Sequence, residues 1–519
     1  MVSRKIKPCI KKTDAPLDDT LWSNVMSNGK FAVGFFLVAC TLTFCIRTMN
    51  WPLVADASIM HYTAFLIAHG FRPYRDILDP NMMGTYLIDW MVTHTLGAGA
   101  LGSRLYDLLL LLSAGLAMTV IAWHRSRFAA LYAACLFALF HSRDGMLQTG
   151  QRDLAIAAGL LWATAFAALL LRRDRLHWAF ALGFTIGSIA TIKPNGLLAL
   201  ALLIPLWALL PRARRVRTLL VALTGLLVPL LALAAYLVHF GLVQAFFFAL
   251  RVLVPMHVHL GFPGLWYLIQ WCLTPSLIVL SALCLLAIGT MPLSGKHIER
   301  LLLLIGIAVG LTAYFAQMKG FPYHRYPLVA CLFLLASLEL TEAAKYTGRS
   351  RWIGVIGLIF GTVLAPIYML HALRLKWPND MEIALQHDLA AVGGSALSGQ
   401  IQCIDSIDGC SRVLYDMRLM QSTGMIYDEY LFVSHATPEI LHHREAFLQA
   451  MEKTEPRVIV ITPDLFPAGL GNYKKLLMWP EFNRFLSNCY DQKIERAFPH
   501  GVATEPGYRL YEAAARCRA

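Results

Sequence analysis

The sequence predicts a polytopic α-helical membrane protein that ends in a small α/β domain, and composition, charge distribution and apolar patterning all predict it. Hydrophobic residues make up 57% of 519 and charged residues 15%, with a mean hydropathy of +0.55; soluble domains carry roughly 25% charged residues. A chain this apolar exceeds what one water-soluble core can hide. The net charge of +13 is unevenly divided: residues 375–519 hold 14 Lys/Arg against 18 Asp/Glu, a net of −4, so residues 1–374 carry +17. That excess lies in short clusters between apolar runs, the pattern of membrane topology and not of a nucleic-acid footprint.

Eleven runs read as spans, at about 31–49, 104–123, 128–141, 154–171, 177–192, 196–210, 218–239, 266–290, 301–318, 327–341 and 352–373. The third, fifth and tenth are near or below the usual minimum of about 17 residues. Alternate loops carry the basic clusters HRSR, RRDR, PRARRVR, GKHIER and KYTGRSR, which with the N-terminal tail hold 20 Lys/Arg against 11 in the rest of residues 1–374. The positive-inside rule places that set, and the N-terminus, in the cytoplasm. An odd number of spans then puts the C-terminal domain outside. The first span is read as an uncleaved anchor, since removing it would break the alternation. The organisation is a tail at 1–30, a membrane domain at 31–375 with a first external loop at 50–103, and an external domain at 376–519.

Within the first loop, DASIMHYTAFLIAHGF places Met60, Ala64, Ile67 and Phe71 at helical spacing, beside Asp56, Ser58 and His61. GTYLIDWMVTHTLG (84–97) also mixes apolar and polar faces, so both stretches read as helices lying in the interface. LVQAFFFALRVLVPMHVHLGFPG (242–264) reads as a further interfacial segment, carrying Arg251, His257 and His259. In the tail, IQCID and RVIVIT read as buried strands, 437–454 and 473–487 as helices, and KIERAF and GYRLYEA as short terminal strands. Cys403 and Cys410 are close enough in sequence to pair in an oxidising compartment; Cys489 and Cys517 are the other tail cysteines. No Cys/His cluster signals zinc.

The candidate functional residues are ionisable groups at external membrane boundaries, where charge is costly and so suggests function. They are Asp56; Arg143, Asp144, Arg152 and Asp153 in SRDGMLQTGQRDLAIA; Lys193 in IKPNG; and Lys319, Tyr323, His324 and Arg325 in QMKGFPYHRYP. Each has a plain structural alternative. Asp56 and Asp153 could cap the helices they open, Lys193 and Arg325 could snorkel to headgroups, and Arg75, Asp76 and Asp79 could be loop salt bridges or turn formers. The set gains weight from convergence: two acids and several cations, from different loops, on one membrane face.

The layout resembles the GT-C superfamily of polyprenyl-phosphate-sugar-dependent glycosyltransferases, more narrowly the bacterial dolichyl-phosphate-mannose protein mannosyltransferase-like group. The resemblance rests on VADASIMHY after the first span, then GFRPYRDILDPN, GQRDLAIA, IATIKPNGLLAL and KGFPYHRYPL in that order, and covers about residues 31–340. It implies a GT-C-like fold in a bacterial inner membrane and a single sugar carried on a polyprenyl phosphate such as undecaprenyl phosphate. The acceptor would be an envelope glycan, lipid or protein at the periplasmic face. Many relatives carry two adjacent acids after the first span, whereas here Ala57 and Ser58 follow Asp56. A metal held by such a pair is therefore not expected, and no metal or other cofactor is required by the sequence, although a divalent cation stays open.

For that reaction Asp56 is the expected general base, with Asp153 and Arg152 orienting it or the acceptor. Lys193, Lys319, His324 and Arg325 are expected to hold the donor phosphate, and Arg75, Asp79 and Tyr323 to orient substrate. Asp144 is the weaker choice for the second acid, because RD at 152–153 directly opens a helix. The competing readings are a lipid-linked-sugar flippase, which would favour internal repeats and mid-span charges, and a receptor using its external domain. Neither accounts for the charged loop ends.

Overall fold

The computed structural model describes residues 17–291, 298–405, 409–467, 473–498 and 507–515, with side chains from residue 28 onward. Helices dominate. Among the described residues, seven are long and apolar enough to cross a membrane: Asn28–Arg47, Ala100–Ala122, Arg152–Arg173, Arg212–His239, Ile298–Ala316, Pro322–Ala343 and Arg349–Arg374. An eighth crossing is available from Leu265–Cys272 and Pro275–Thr290, if that pair, bent by 67°, counts as one span. The chain is a multi-pass membrane protein.

All eleven apolar runs are helical, but the expected count of eleven spans does not follow. The run expected at 196–210 is a 3₁₀ helix, Pro194–Leu202, leading into a two-turn helix, Leu203–Leu209. Leu176–Ile192 is only 17 residues long. Arg127–Asp144 is helical over 18 residues but charged at both ends. The break in the eighth run falls at Thr274 and Pro275, where the proline ring cannot donate a backbone bond and the preceding residue is pushed out of the helical region.

Helix packing depends on small residues where backbones meet. Leu176–Ile192 lies against Arg212–His239 so closely that a Cβ on Gly183 would stand 1.8 Å from the Ala222 carbonyl oxygen, and one on Gly225 would stand 2.2 Å from that of Phe180. Without a hydrophobic drive between helices in lipid, such close backbone approach supplies much of the association.

The two expected loop helices form as Ala55–Ala68 and Met83–Thr95, and the segment after the long Arg212–His239 helix is helical from Val243 to His259. In the tail, β1 (Ile401–Ile404) pairs parallel with β2 (Val458–Ile461). Strands β3 (Tyr490–Ala497) and β4 (Gly507–Ala513) complete an antiparallel edge in the order β1-β2-β4-β3. The helix expected at 473–487 splits into Lys474–Met478 and Pro480–Cys489 because Pro480 opens a new helix after Trp479. Cys403 is disulfide-bonded to Cys410; Cys517 lies outside the described residues.

The tail sits directly on the first loop. Tyr62 donates to the Leu419 carbonyl and accepts from the Gln421 amide, at 3.2 and 3.0 Å. A Cβ on Gly424 would meet the Asp76 carbonyl at 1.8 Å. One apolar cluster joins the Ala55–Ala68 helix to β1, β2 and β4. A second joins Leu237, Leu242 and Phe246 to the Pro438–Thr454 helix and Trp479.

Replacing Gly183 by valine should force the two helices apart and cost on the order of 1–3 kcal/mol, as overpacking does. Thermal unfolding in detergent checks this against Gly289→Ala, where a Cβ meets nothing within 4 Å.

Candidate active site

After Val54 in extended geometry, Ala55 takes φ 52°, a left-handed conformation, and the helix starts. Such a backbone costs an L-residue of order 1 kcal/mol or more and is retained where surroundings over-determine it. Asp56 follows, in the first turn, but its side chain caps nothing. Its Oδ2 instead accepts from an Arg152 guanidinium nitrogen and from the Tyr323 hydroxyl, both at 3.1 Å. No described residue hydrogen-bonds Oδ1, and the side chain is about a third exposed.

Arg152 and Asp153 open the next helix, and Asp153 does not cap it either. Its Oδ2 lies 2.5 Å from Lys193 Nζ and its Oδ1 accepts from Gln317 Nε2 at 3.1 Å, while Lys193 donates to Gln317 Oε1 at 2.7 Å. Lys193 stands at a helix break because Pro194 follows it, which drives its backbone to φ −146°, ψ 138°. Burial pulls the Lys193 ammonium below its usual range while Asp153 opposes that shift. Lys319 is set between Met318 at φ 53° and Gly320 at φ 70°, just before Pro322 starts the next helix. Its ammonium donates to the Leu260 carbonyl, no carboxylate among the described residues lies within ion-pair distance of it, and burial lowers its pKa to about 8.

These groups meet. A cavity of about 340 Å³ is lined by Asp56, Arg152, Lys193, Lys319, Tyr323 and His324, within the range of small-molecule sites. Asp153 stands behind Lys193. Three other expected residues do not reach the cavity either. Arg325, expected on the phosphate, is buried elsewhere, donating to Asp144 at 2.9 Å and to the Trp271 carbonyl at 2.7 Å with its guanidinium over the Phe140 ring. Arg75 is exposed and paired with its neighbour Asp76. Asp79 is buried and forms a turn, accepting from the Asn81 amide and side chain at 2.8 and 2.6 Å; Asn81 itself lines the cavity. For Arg75 and Asp79 the plain alternative of salt bridge and turn former describes the geometry.

His257, from the interfacial segment at 242–264, also lines the cavity, and several other lining residues escape the sequence reading. Asn195 and Gln317 belong to the membrane part, and Tyr427, Glu429, Tyr430 and Phe466 come from the tail. The stretch YDEY at 427–430 was the available signal, two acids between aromatics in an otherwise apolar neighbourhood. Among the described residues, no group of three or more His, Cys, Asp or Glu comes together as a metal site would.

A second, water-sized space of about 20 Å³ lies on the other side of Asp56, bounded by Asp89, Gln151 and Arg152. Burial holds the Asp89 carboxyl up at about 8 and the nearby His61 imidazole down at about 4, with 3.7 Å between His61 Nε2 and Asp89 Oδ1. Folded Asp89 therefore keeps a proton that the unfolded chain releases near pH 3.9. The folded state binds more protons between those values, so this group's contribution to stability falls as pH rises through that window. Asp89→Asn should melt higher than the parent chain at pH 8 and alike near pH 4, which thermal unfolding at both pH values reads.

By sequence, no protein-family model and no curated protein matches this chain. By structure, it is similar to ArnT from Cupriavidus metallidurans in the apo state, with TM-score 0.57 and 11% identity over 94% of this chain and 99% of that one. The same protein bound to undecaprenyl phosphate gives TM-score 0.53 and 12% identity, covering 93% and 98%. The archaeal oligosaccharyltransferase AglB from Archaeoglobus fulgidus, in complex with an inhibitory peptide and a dolichol-phosphate, gives TM-score 0.52 and 13% identity, covering 94% and 74%. The chain thus shares the overall fold of ArnT and AglB over nearly its whole length.

Proposed function

We propose that the chain is an inverting glycosyltransferase that moves one sugar from a polyprenyl phosphate to a hydroxyl of an envelope glycan, lipid or protein at the external membrane face. The observation that carries this reading is a single cavity in which the Asp56 carboxylate faces the Lys193 and Lys319 ammonium groups. Lipid phosphates in two similar folds, undecaprenyl phosphate on ArnT and dolichol-phosphate on AglB, support the donor class.

In the proposed step the acceptor oxygen attacks the anomeric carbon, the bond from that carbon to the phosphate oxygen breaks, and polyprenyl phosphate leaves. Asp56 takes the acceptor proton. Arg152 and Tyr323 hold Oδ2 of Asp56 and so aim Oδ1 at the acceptor. The leaving group gains a negative charge as the bond breaks, and preorganised cations in a site of low dielectric stabilise such charge. Lys319 is the first candidate, since a carbonyl and not a carboxylate holds it. Lys193 spends two of its three donors on Asp153 and Gln317 and has a third for the phosphate. Attack opposite a leaving phosphate inverts the anomeric carbon, as in inverting hydrolases. Phosphate leaves without protonation, so a single base suffices.

Purified protein incubated with polyprenyl-phosphate sugars and a panel of envelope acceptors tests the activity. Asp56→Asn should lower kcat by roughly 10²–10⁴-fold and leave donor binding intact; full turnover by the folded variant would remove Asp56 as the base. Lys319→Ala should weaken donor binding about tenfold or more. Because Lys319 is charged below about pH 8 and neutral above it, donor affinity in the parent chain should fall as pH rises through 8 and lose that dependence in Lys319→Arg. Equilibrium binding of donor from pH 6.5 to 9.5 measures both.

A further inference from the structure

We infer that the tail reads the sugar: Glu429, with Asn195 opposite and Phe466 and Tyr430 beside it, forms a glycosyl subsite that accepts hydrogen bonds from the donor's hydroxyls. This deepens the reading above and rests on it.

Glu429 is 2% exposed, yet it lines the cavity and its Oε2 has no hydrogen-bond partner among the described residues. Its other oxygen, Oε1, stands 3.8 Å from His257 Nδ1. A buried carboxylate oxygen with nothing to accept from is costly, so a ligand that satisfies it gains what the empty site forgoes. Asn195 Oδ1, also on the cavity wall, is likewise buried without a partner among the described residues. Both orphans are acceptors. They select a ligand group that donates.

That polarity separates the parts of the donor. A phosphate offers this pair of acceptors no proton to share, and a lipid chain offers only C–H bonds. The part that presents several O–H donors is the sugar. The aromatic wall fits the same group. Phe466 lies parallel to the His257 ring, 5.6 Å between centroids at 9°, and the Tyr430 hydroxyl is 3.2 Å from His257 Nδ1, so the C–H face of a pyranose or furanose would meet aromatic rings held in place.

Adjacent placement completes the geometry. Lys319 feels the charge of Glu429 and stands 5.1 Å from the Phe466 ring centroid. A phosphate on Lys319 would therefore put the attached sugar beside Glu429, as the single-sugar donor requires. The loop that carries Glu429 is anchored from within the tail, because the buried Lys475 ammonium donates to Asp428 at 2.6 Å and to the Ile404 and Asp464 carbonyls at 3.0 and 2.9 Å. The tail sheet thus positions a specificity residue in a membrane-face cavity.

The experiment compares binding of undecaprenyl phosphate with binding of undecaprenyl-phosphate-linked glucose, mannose, galactose and arabinose to the full chain. The parent should bind at least one glycoside more tightly than the bare lipid phosphate. Glu429→Gln, which keeps size and removes charge, should cut that ratio roughly tenfold or more, the scale of one charged hydrogen bond; any effect of the lost charge on the phosphate held by Lys319 is common to both ligands and cancels in the ratio. Asn195→Ser should cut it to a lesser extent, and a thermal melt establishes that each variant is folded. If the parent prefers no glycoside over the bare lipid, or if folded Glu429→Gln keeps the full ratio, the subsite is overturned while the transferase reading stands. If the parent fails to bind even the bare lipid phosphate, the reading beneath it falls and takes the subsite with it.

Discussion

Lys193, Asp153 and Gln317 form a closed triangle of polar contacts between three different helix ends, and the cavity depends on it. Asp153 opens one long helix, Lys193 ends a second and Gln317 follows a third. Removing any one would leave a buried polar group without its partner, a situation that costs more than the net worth of the bond. The triangle therefore fixes where the Asp56 carboxylate and the cations can stand relative to one another. It also leaves Arg152, the neighbour of Asp153, directed to Asp56. One short sequence, RD, thereby serves both the frame and the carboxylate.

Behind this frame lies a second polar network that holds the loop leading into it. Asp107 accepts from the Gly150 amide at 2.8 Å and contacts His141 at 3.1 Å, His141 reaches the Tyr326 hydroxyl at 2.9 Å, and Arg104 joins Asp107 to Thr48. Four parts of the chain, from the first span to the Tyr326–Ala343 helix, are thus tied together immediately before Arg152. At the far helix ends, basic loop residues find their own acids: Arg125 and Arg300 both pair with Glu339, and Arg172 pairs with Glu299. A helix of 22 residues spans about 33 Å, so the cavity and these pairs occupy opposite ends of the bundle. The charges are segregated, with the cavity's polar groups at one end and these anchoring pairs at the other.

Much of this was legible. Apolar runs, proline breaks and interfacial helices are local signals, and they led to the correct elements in the first loop and in the tail strands. Asp56, Arg152, Lys193, Lys319, Tyr323 and His324 were legible because each is a polar group forced by a proline, a helix end or a short turn to the mouth of an apolar bundle. Arg325 was not separable from its neighbours, since one residue along a 3₁₀ turn rotates a side chain by about 120° and turns it from the cavity to Asp144. The eleven-span count is not confirmed, for a related reason. Hydropathy reports what a segment can bury, not whether its backbone continues straight through Thr274–Pro275 or tightens after Pro194.

The sequence by itself determined that this is a multi-pass helical protein, where its loops lie and which charged residues stand at membrane boundaries, because those follow from composition and from short-range backbone rules. Only the tertiary structure decided which of those charges share a chamber, that Asp56 and Asp153 bind side chains and not helix ends, and that the tail supplies Tyr427, Glu429, Tyr430 and Phe466 to the same wall. The physical reason is separation along the chain. Asp56 meets Tyr323 across 267 residues, and no local pattern records a contact that exists only once the helices have packed and the tail has docked on the first loop.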